Sequence, residues 1–384
     1  MGQTQTTKYS IVMFTSDINS QINTSSKPSL IQIRDSLKML KTLFINQPKE
    51  FENSKVLEKE LIKAEADMTG ESQVARGDRK IPEKNTVNFT KNLSLVPKLV
   101  SKTDHTAPEY MESLTLYLDM FYFLGEEKVF IEFFYLNAFE HLNNIIIEKT
   151  ESFPNTFINR VVNSLKGNLI KVQEKPKFFN IHSVIKFLHV NVLLLNSKYI
   201  ANEENLFSIS NYLKSFFIVI LELNKGTFQK RVKPKEASNL VRTVLIEFSQ
   251  MGLINCICKV IKECIYYSEK SANILLEVLS VLVNFDFVIA EKLIKIEGDL
   301  KELLFLVDPL QNPTTVNLIL SIIQDVSIST INNNINDLFF IISRHKRNIL
   351  ERFYLLLKCS EFPEVKLRTA VLLMLLSLNK ECWE

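Results

Sequence analysis

The chain has 384 residues, a formal net charge of +3, 46% apolar and 23% charged residues. That is the balance of a folded globular protein; it excludes wholesale disorder, and the net charge is too small to imply nucleic acid by itself. Only 8 glycines are present, which argues against phosphate-cradling loops, dinucleotide folds and many-hairpin β architectures, all of which need positive φ.

The N-terminus reads MGQTQTTK. Gly2 followed by Thr6 fits M-G-x-x-x-[ST], the pattern that exposes a glycine amine for myristoylation. The same short pattern also arises by chance. Residues 1–29 are polar apart from YSIVMF and are expected to form a flexible tail. In the N-terminal helices expected over 30–65, Leu30, Ile33, Leu37, Leu40 and Phe44 recur at helical spacing behind Ser29, a candidate N-cap, with a second helix around 54–66. Residues 66–88 carry glycine, proline and charge without period, and are read as a disordered linker or long loop.

From 89 to 384 the pattern is helical almost without break. Helices are expected over 89–101, 109–124, 126–149, 155–173, 181–197, 203–224, 235–251, 253–268, 271–284, 286–296, 299–307, 314–328, 331–343, 346–359 and 364–380, punctuated by Pro108, Pro154, Pro176, Pro234, Gly252, Gly298, Pro309, Pro313 and Pro363. Many short-linked helices mean a bundle or a solenoid. Two stretches decide between them: 252–284 and 298–325 each read glycine, apolar helix, polar break, apolar helix, polar end. Their ends, Asn284 and Asp325, lie within the ~40–47-residue period of armadillo and HEAT units.

On these residues the chain resembles the armadillo/HEAT superfamily, most clearly over 252–379. The implied fold is an all-α, armadillo/HEAT-like α-solenoid of irregular helical repeats over 89–384. The resemblance also implies a groove lined by the innermost helices, where extended peptides or partner helices bind.

No catalytic constellation is visible. Cys256, Cys258 and Cys264 share one predicted helix with the first two diverging by about 200°, no histidine is near, and they read as small core residues rather than a metal site. The histidines are scattered, and Glu203-Glu204 suits a helix start better than an acid–base pair. No cofactor, metal or small-molecule substrate is expected. An odd cysteine count and no visible secretory signal suggest a reducing, cytoplasmic setting. A basic loop, Lys225, Lys230, Arg231, Lys233 and Lys235, suits an anionic membrane surface or simply solvent. Nucleic acid is not expected, since only Phe228 is interleaved for stacking.

The candidate partner-binding residues form two polar stripes on otherwise apolar helices: Asn273, Glu277, Ser280 and Asn284, then Asn317, Ser321 and Gln324. Their spacing of three and four predicts one continuous exposed surface on neighbouring, near-parallel helices. The expected function is a non-enzymatic scaffold for other proteins, attached to membranes through Gly2 and acting in trafficking or organelle tethering. The alternative is a soluble adaptor in a cytoskeletal or ciliary assembly.

Overall fold

A computed structural model describes residues 20–21, 28–46, 89–124, 139–149, 152–172, 181–224, 243–244, 247, 250–285, 287–295, 299–332 and 346–377. Gly2, the segment 66–88, the helices expected at 54–66 and over most of 235–251 and 331–343, and the basic loop from Lys225 to Lys235 lie outside them. The described residues are helical, with no strand among them. No helix among them is long and apolar enough to cross a membrane.

The chain divides into two compact units, Met1–Lys149 and Thr150–Glu384. The division therefore falls inside the stretch read from the sequence as one continuous solenoid, and the helices before residue 149 group with the first helix instead. The first unit holds α1 (Leu30–Asn46), α2 (Phe89–Ser101), α3 (Pro108–Leu124) and α4 (Phe139–Lys149). Ile33, Leu37 and Leu40 form a fully buried stripe on α1, which packs on α3. Beside that seam runs a charge ladder: Arg34 Nη1 stands 3.7 Å from Glu109 and Glu112, Lys38 Nζ 2.6 Å from Glu112, and Lys41 Nζ 2.7 Å from Asp119. Both residue series rise together, so α1 and α3 run parallel. The Ser29 carbonyl accepts from Ile33 N at 3.1 Å and its hydroxyl lies 3.5 Å from Gln32 N, the place expected of an N-cap.

The second unit holds α5 (Asn155–Val172), α6 (Ile181–Leu195), a 3₁₀ turn (Lys198–Ala201), α7 (Glu203–Asn224), α8 (Leu253–Cys264), α9 (Glu269–Phe285), α10 (Phe287–Lys295), α11 (Asp299–Phe305), α12 (Pro313–Asn332), α13 (Lys346–Cys359) and α14 (Pro363–Ser377). Pro313 and Pro363 begin their helices, where the missing N–H costs no bond. Packing runs in two layers. One is α5–α7–α9–α12–α14, each helix against the next, and the other is α6–α8–α11–α13. Neighbouring pairs across the layers are α6 with α7, α8 with α9, α11 with α12 and α13 with α14. This is a stack of helix pairs with solenoid-like packing. The extra short helix α10 fits beside α9 and α12.

Each layer is stitched by polar bonds as well as leucines. In the second layer, Lys262 Nζ pairs with Glu302 at 2.7 Å. Arg352 donates to the carbonyls of Phe305 and Val307 at 2.8 and 2.9 Å, with its guanidinium 5.7 Å from the Phe305 ring centre. Where the chain turns into α8, Gly252 takes φ 70°, the left-handed conformation that a side chain resists. A Cβ at Gly252 would meet nothing within 4 Å, so Gly252→Ala should cost only backbone strain, about 1 kcal/mol. Chemical denaturation should show a lower midpoint with an unchanged slope.

Candidate functional site

The helices α5, α7, α9, α12 and α14 all start in the same way. The carbonyls of Pro154, Asn202, Ser268, Asn312 and Phe362 accept their first helical N–H bonds at 3.0–3.2 Å, from Ile158, Leu206, Ala272, Val316 and Lys366. Asn202 and Asn312 also cap through their side chains, to Asn205 N at 3.0 Å and Thr314 N at 2.9 Å.

Counting from these caps gives one register. The fifth, ninth and twelfth residues are Asn159, Asn163 and Lys166 on α5; Phe207, Asn211 and Lys214 on α7; Asn273, Glu277 and Ser280 on α9; Asn317, Ser321 and Gln324 on α12; Leu367, Val371 and Met374 on α14. The sixteenth are Ile218, Asn284 and Ile328 on α7, α9 and α12. Every one of these side chains is exposed or half-buried, whereas the positions beside them are core leucines, isoleucines and valines such as Leu275, Leu276, Leu279 and Leu282. The period of 3.6 residues puts these positions on a single face of each helix.

Bonds between neighbours show that these faces adjoin. Asn159 Nδ2 donates to Glu204 at 2.7 Å and its carbonyl oxygen accepts from the Ser208 hydroxyl, linking α5 to α7. Lys214 pairs with Glu277, linking α7 to α9. The Thr315 hydroxyl donates to Asn273 at 2.7 Å, and Asn284 Nδ2 donates to Asp325 at 2.8 Å, linking α9 to α12. Two bonds ten or eleven residues apart on both helices, with residue numbers rising together, require that α9 and α12 run parallel. Arg368 Nη1 donates to Ser321 and Gln324, each at 3.3 Å, linking α12 to α14.

The seven predicted groove residues are therefore brought together on neighbouring helices. Their exposure is lower than expected: only Asn284 is fully exposed, and the other six are half-buried. The reason is that most of them already bond across the seam between helices. The sequence reading missed the other three helices. The signal that finds them is the cap: read from each cap, the same offsets fall on polar residues in α5, and on mixed polar and apolar residues in α7. On α14 they turn wholly apolar.

Asp325 sits between Asn284 and Arg368, and burial raises its pKa against the opposing effects of those two neighbours. The other titrations are structural. Cys256, Cys258 and Cys264 are buried on α8, and burial pushes the Cys264 thiol up to about 12, so the thiolate that binds metal is disfavoured there. Among the described residues no three His, Cys, Asp or Glu side chains are grouped to hold a metal ion. No protein-family model matches the chain, and no curated protein is similar to it in sequence.

A carboxyl whose folded pKa is raised binds its proton more tightly in the native state. Stability therefore falls as pH rises from the ordinary carboxylate value to that of folded Asp325. Asp325→Asn keeps an acceptor for Asn284 and removes the buried charge. The variant should gain melting temperature relative to wild type as pH rises through that window, and keep the gain at neutral pH. A constant difference at every pH would mean that the charge carries no such cost.

Proposed function

We propose that the chain is a non-enzymatic, armadillo/HEAT-like scaffold that holds another protein along the five-helix face, and that a myristoyl group on Gly2 brings it reversibly to a membrane. The observation that carries the first part is the shared register: five successive helices present their fifth, ninth and twelfth residues to one surface. A surface built by repetition, wider than any one helix, suits a long partner segment rather than a small molecule. Asn163, Asn211, Asn273, Asn284, Asn317 and Gln324 offer amides that match a partner's peptide groups.

The membrane part rests on Met1-Gly2 followed by Thr6 and Lys8. One myristoyl chain binds only marginally, so a second contact is needed. The basic segment Lys225, Lys230, Arg231, Lys233 and Lys235 would supply it on an anionic surface. A role in trafficking or organelle tethering follows from a scaffold with a reversible anchor.

Asn163 and Asn284 are both exposed and stand on different helices. Asn163→Arg with Asn284→Arg should therefore leave the fold within about 1 kcal/mol of wild type. The same pair should abolish co-purification of the proteins that the wild type retains from its own cells. A folded double variant that retains all of them removes this face as the site. Independently, the intact mass of the native protein should carry one myristoyl increment on the Gly2 peptide. Gly2→Ala should then move the protein from membrane to soluble fractions. An unmodified Gly2 in a fully soluble protein discards the membrane part and leaves a soluble adaptor.

A further inference from the structure

The fifth residues counted from the caps form a row that crosses the helices of the layer. Its first member, Asn159 of α5, is held by Glu204 and Ser208. From α7 to α14, through successive neighbours, the row reads Phe207, Asn273, Asn317 and Leu367. Its ends are apolar and open: Phe207 is 42% and Leu367 67% exposed. Its centre is two amides. Asn273 accepts from the Thr315 hydroxyl with its oxygen, which leaves its N–H groups unused, and the Asn317 oxygen has no hydrogen-bond partner.

One turn before each apolar end stands a carboxylate. Glu203 is four residues before Phe207 and Glu364 three before Leu367, so each shares a helix face with its apolar neighbour at about 5–6 Å. Both are exposed, and among the described residues neither has a hydrogen-bond or ion-pair partner. Arg368, the base within reach of Glu364 along α14, turns instead to Ser321 and Gln324. The other first-turn acids are occupied: Glu204 accepts from Asn159 at 2.7 Å, and Glu269 from the Thr315 hydroxyl at 3.0 Å. Lys270 is exposed three residues before Asn273, so the free charge beside the centre of the row is positive. Lys366 lies about 200° round α14 from Glu364, off the row. A first-turn carboxylate suits the dipole of its own helix, but that role does not need an open phenyl ring or leucine beside it.

We infer that this row binds an extended segment of a partner protein through two lysine or arginine side chains about eight residues apart, which rests on the reading of the five-helix face as a protein-binding surface. Charge and shape select that occupant. A basic side chain lays its methylene stem on Phe207 or Leu367 and brings its charged head to Glu203 or Glu364, so one residue answers both features. At Phe207 the cation also meets the ring. A plain apolar side chain leaves the carboxylate covered and unpaired, and an acidic one is repelled. The spacing follows from the helices. Three steps of about 9 Å from α7 to α14 span about 27 Å, which is about eight residues of extended chain at about 3.4 Å each. An even spacing sends both basic side chains out on the same side of the strand. Between them the backbone crosses Asn273 and Asn317, whose amides match peptide groups, and Lys270 keeps further bases out of the middle.

Selection of a random dodecapeptide library on the full chain tests this. The retained sequences should be enriched in two Lys or Arg about seven to nine positions apart. The same selection on Glu203→Gln with Glu364→Gln should lose that pair. For one retained peptide, followed by fluorescence anisotropy, either substitution alone should weaken binding about threefold and both together about tenfold. Phe207→Ser should weaken it about as much as one carboxylate, and added salt should weaken it further. Glu351→Gln, exposed on α13 away from the row, should bind like wild type. Norleucine in place of both bases of the peptide should give the same loss on the unaltered protein, and serves as the test if a variant loses helix. A selection without the basic pair overturns the inference, and so does a basic-pair peptide whose affinity ignores the two Gln substitutions. The face itself is judged separately, because Asn163 and Asn284 lie outside the row. Lost co-purification in Asn163→Arg with Asn284→Arg, together with a selection free of basic pairs, keeps the scaffold reading and removes this one.

Discussion

The second unit depends on one repeated constraint, the carbonyl cap that starts each helix of the α5–α7–α9–α12–α14 layer. A helix start fixes rotation as well as position. Once the carbonyls of Pro154, Asn202, Ser268, Asn312 and Phe362 accept their first bonds, every later residue has a set angle around its axis. The buried positions then meet the same positions of the neighbouring helix, and the remaining positions meet solvent together. Leu275, Leu279 and Leu282 of α9 and Val316, Ile319 and Ile323 of α12 show the result, all buried to within a few percent. Burial of such side chains, each contributing about 1.5–3 kcal/mol, holds the layer. The caps decide which residues are left outside it.

This also explains what was legible in the sequence. Helix existence came from the apolar period, and several ends came from punctuation: Pro108, Pro313 and Pro363 each open a helix. The stripes of α9 and α12 were visible because those helices are long, strongly apolar and broken by few polar residues. The same surface on α7 was hidden, since Phe207 and Ile218 occupy positions that are polar in α9 and read as core when viewed alone. On α14 the stripe is wholly apolar and gives no contrast with the core. Only a comparison between helices, aligned at their caps, separates surface from core there. The division after Lys149 did not stand out in the sequence, because the break beside it, at Pro154, is of the same kind as the prolines that separate helices within the stack.

The spacing of the lateral bonds shows why the repeat looked irregular. Bonded partners in successive helices of the layer are 45 and 49 residues apart from α5 to α7, 63 from α7 to α9, 41, 42 and 46 from α9 to α12, and 44 and 47 from α12 to α14. The long step contains the segment with the basic residues from Lys225 to Lys235. Three of the four steps lie near one period, and the exception adds length between helices without disturbing the layer. A stack in which each helix touches only its neighbours tolerates such an insertion, since no distant contact needs to be preserved.

The lateral bonds set the terms on which the five-helix face meets anything else. Lys214 with Glu277, Asn284 with Asp325, and Arg368 with Ser321 and Gln324 already satisfy much of its polar capacity. A ligand that broke these pairs would gain little, because a half-buried bond exchanged for another is nearly neutral. The apolar members are different. Phe207 and Ile218 are each 42% exposed, and Leu367 and Met374 more so. Covering them removes apolar surface from water, worth about 25 cal/mol per Å². On the proposed scaffold reading the face would divide its labour by position. Polar pairs on α9 and α12 hold the helices in register, and their remaining donors and acceptors would orient a bound chain. The apolar residues of α7 and α14, on either side of that polar centre, would supply the affinity.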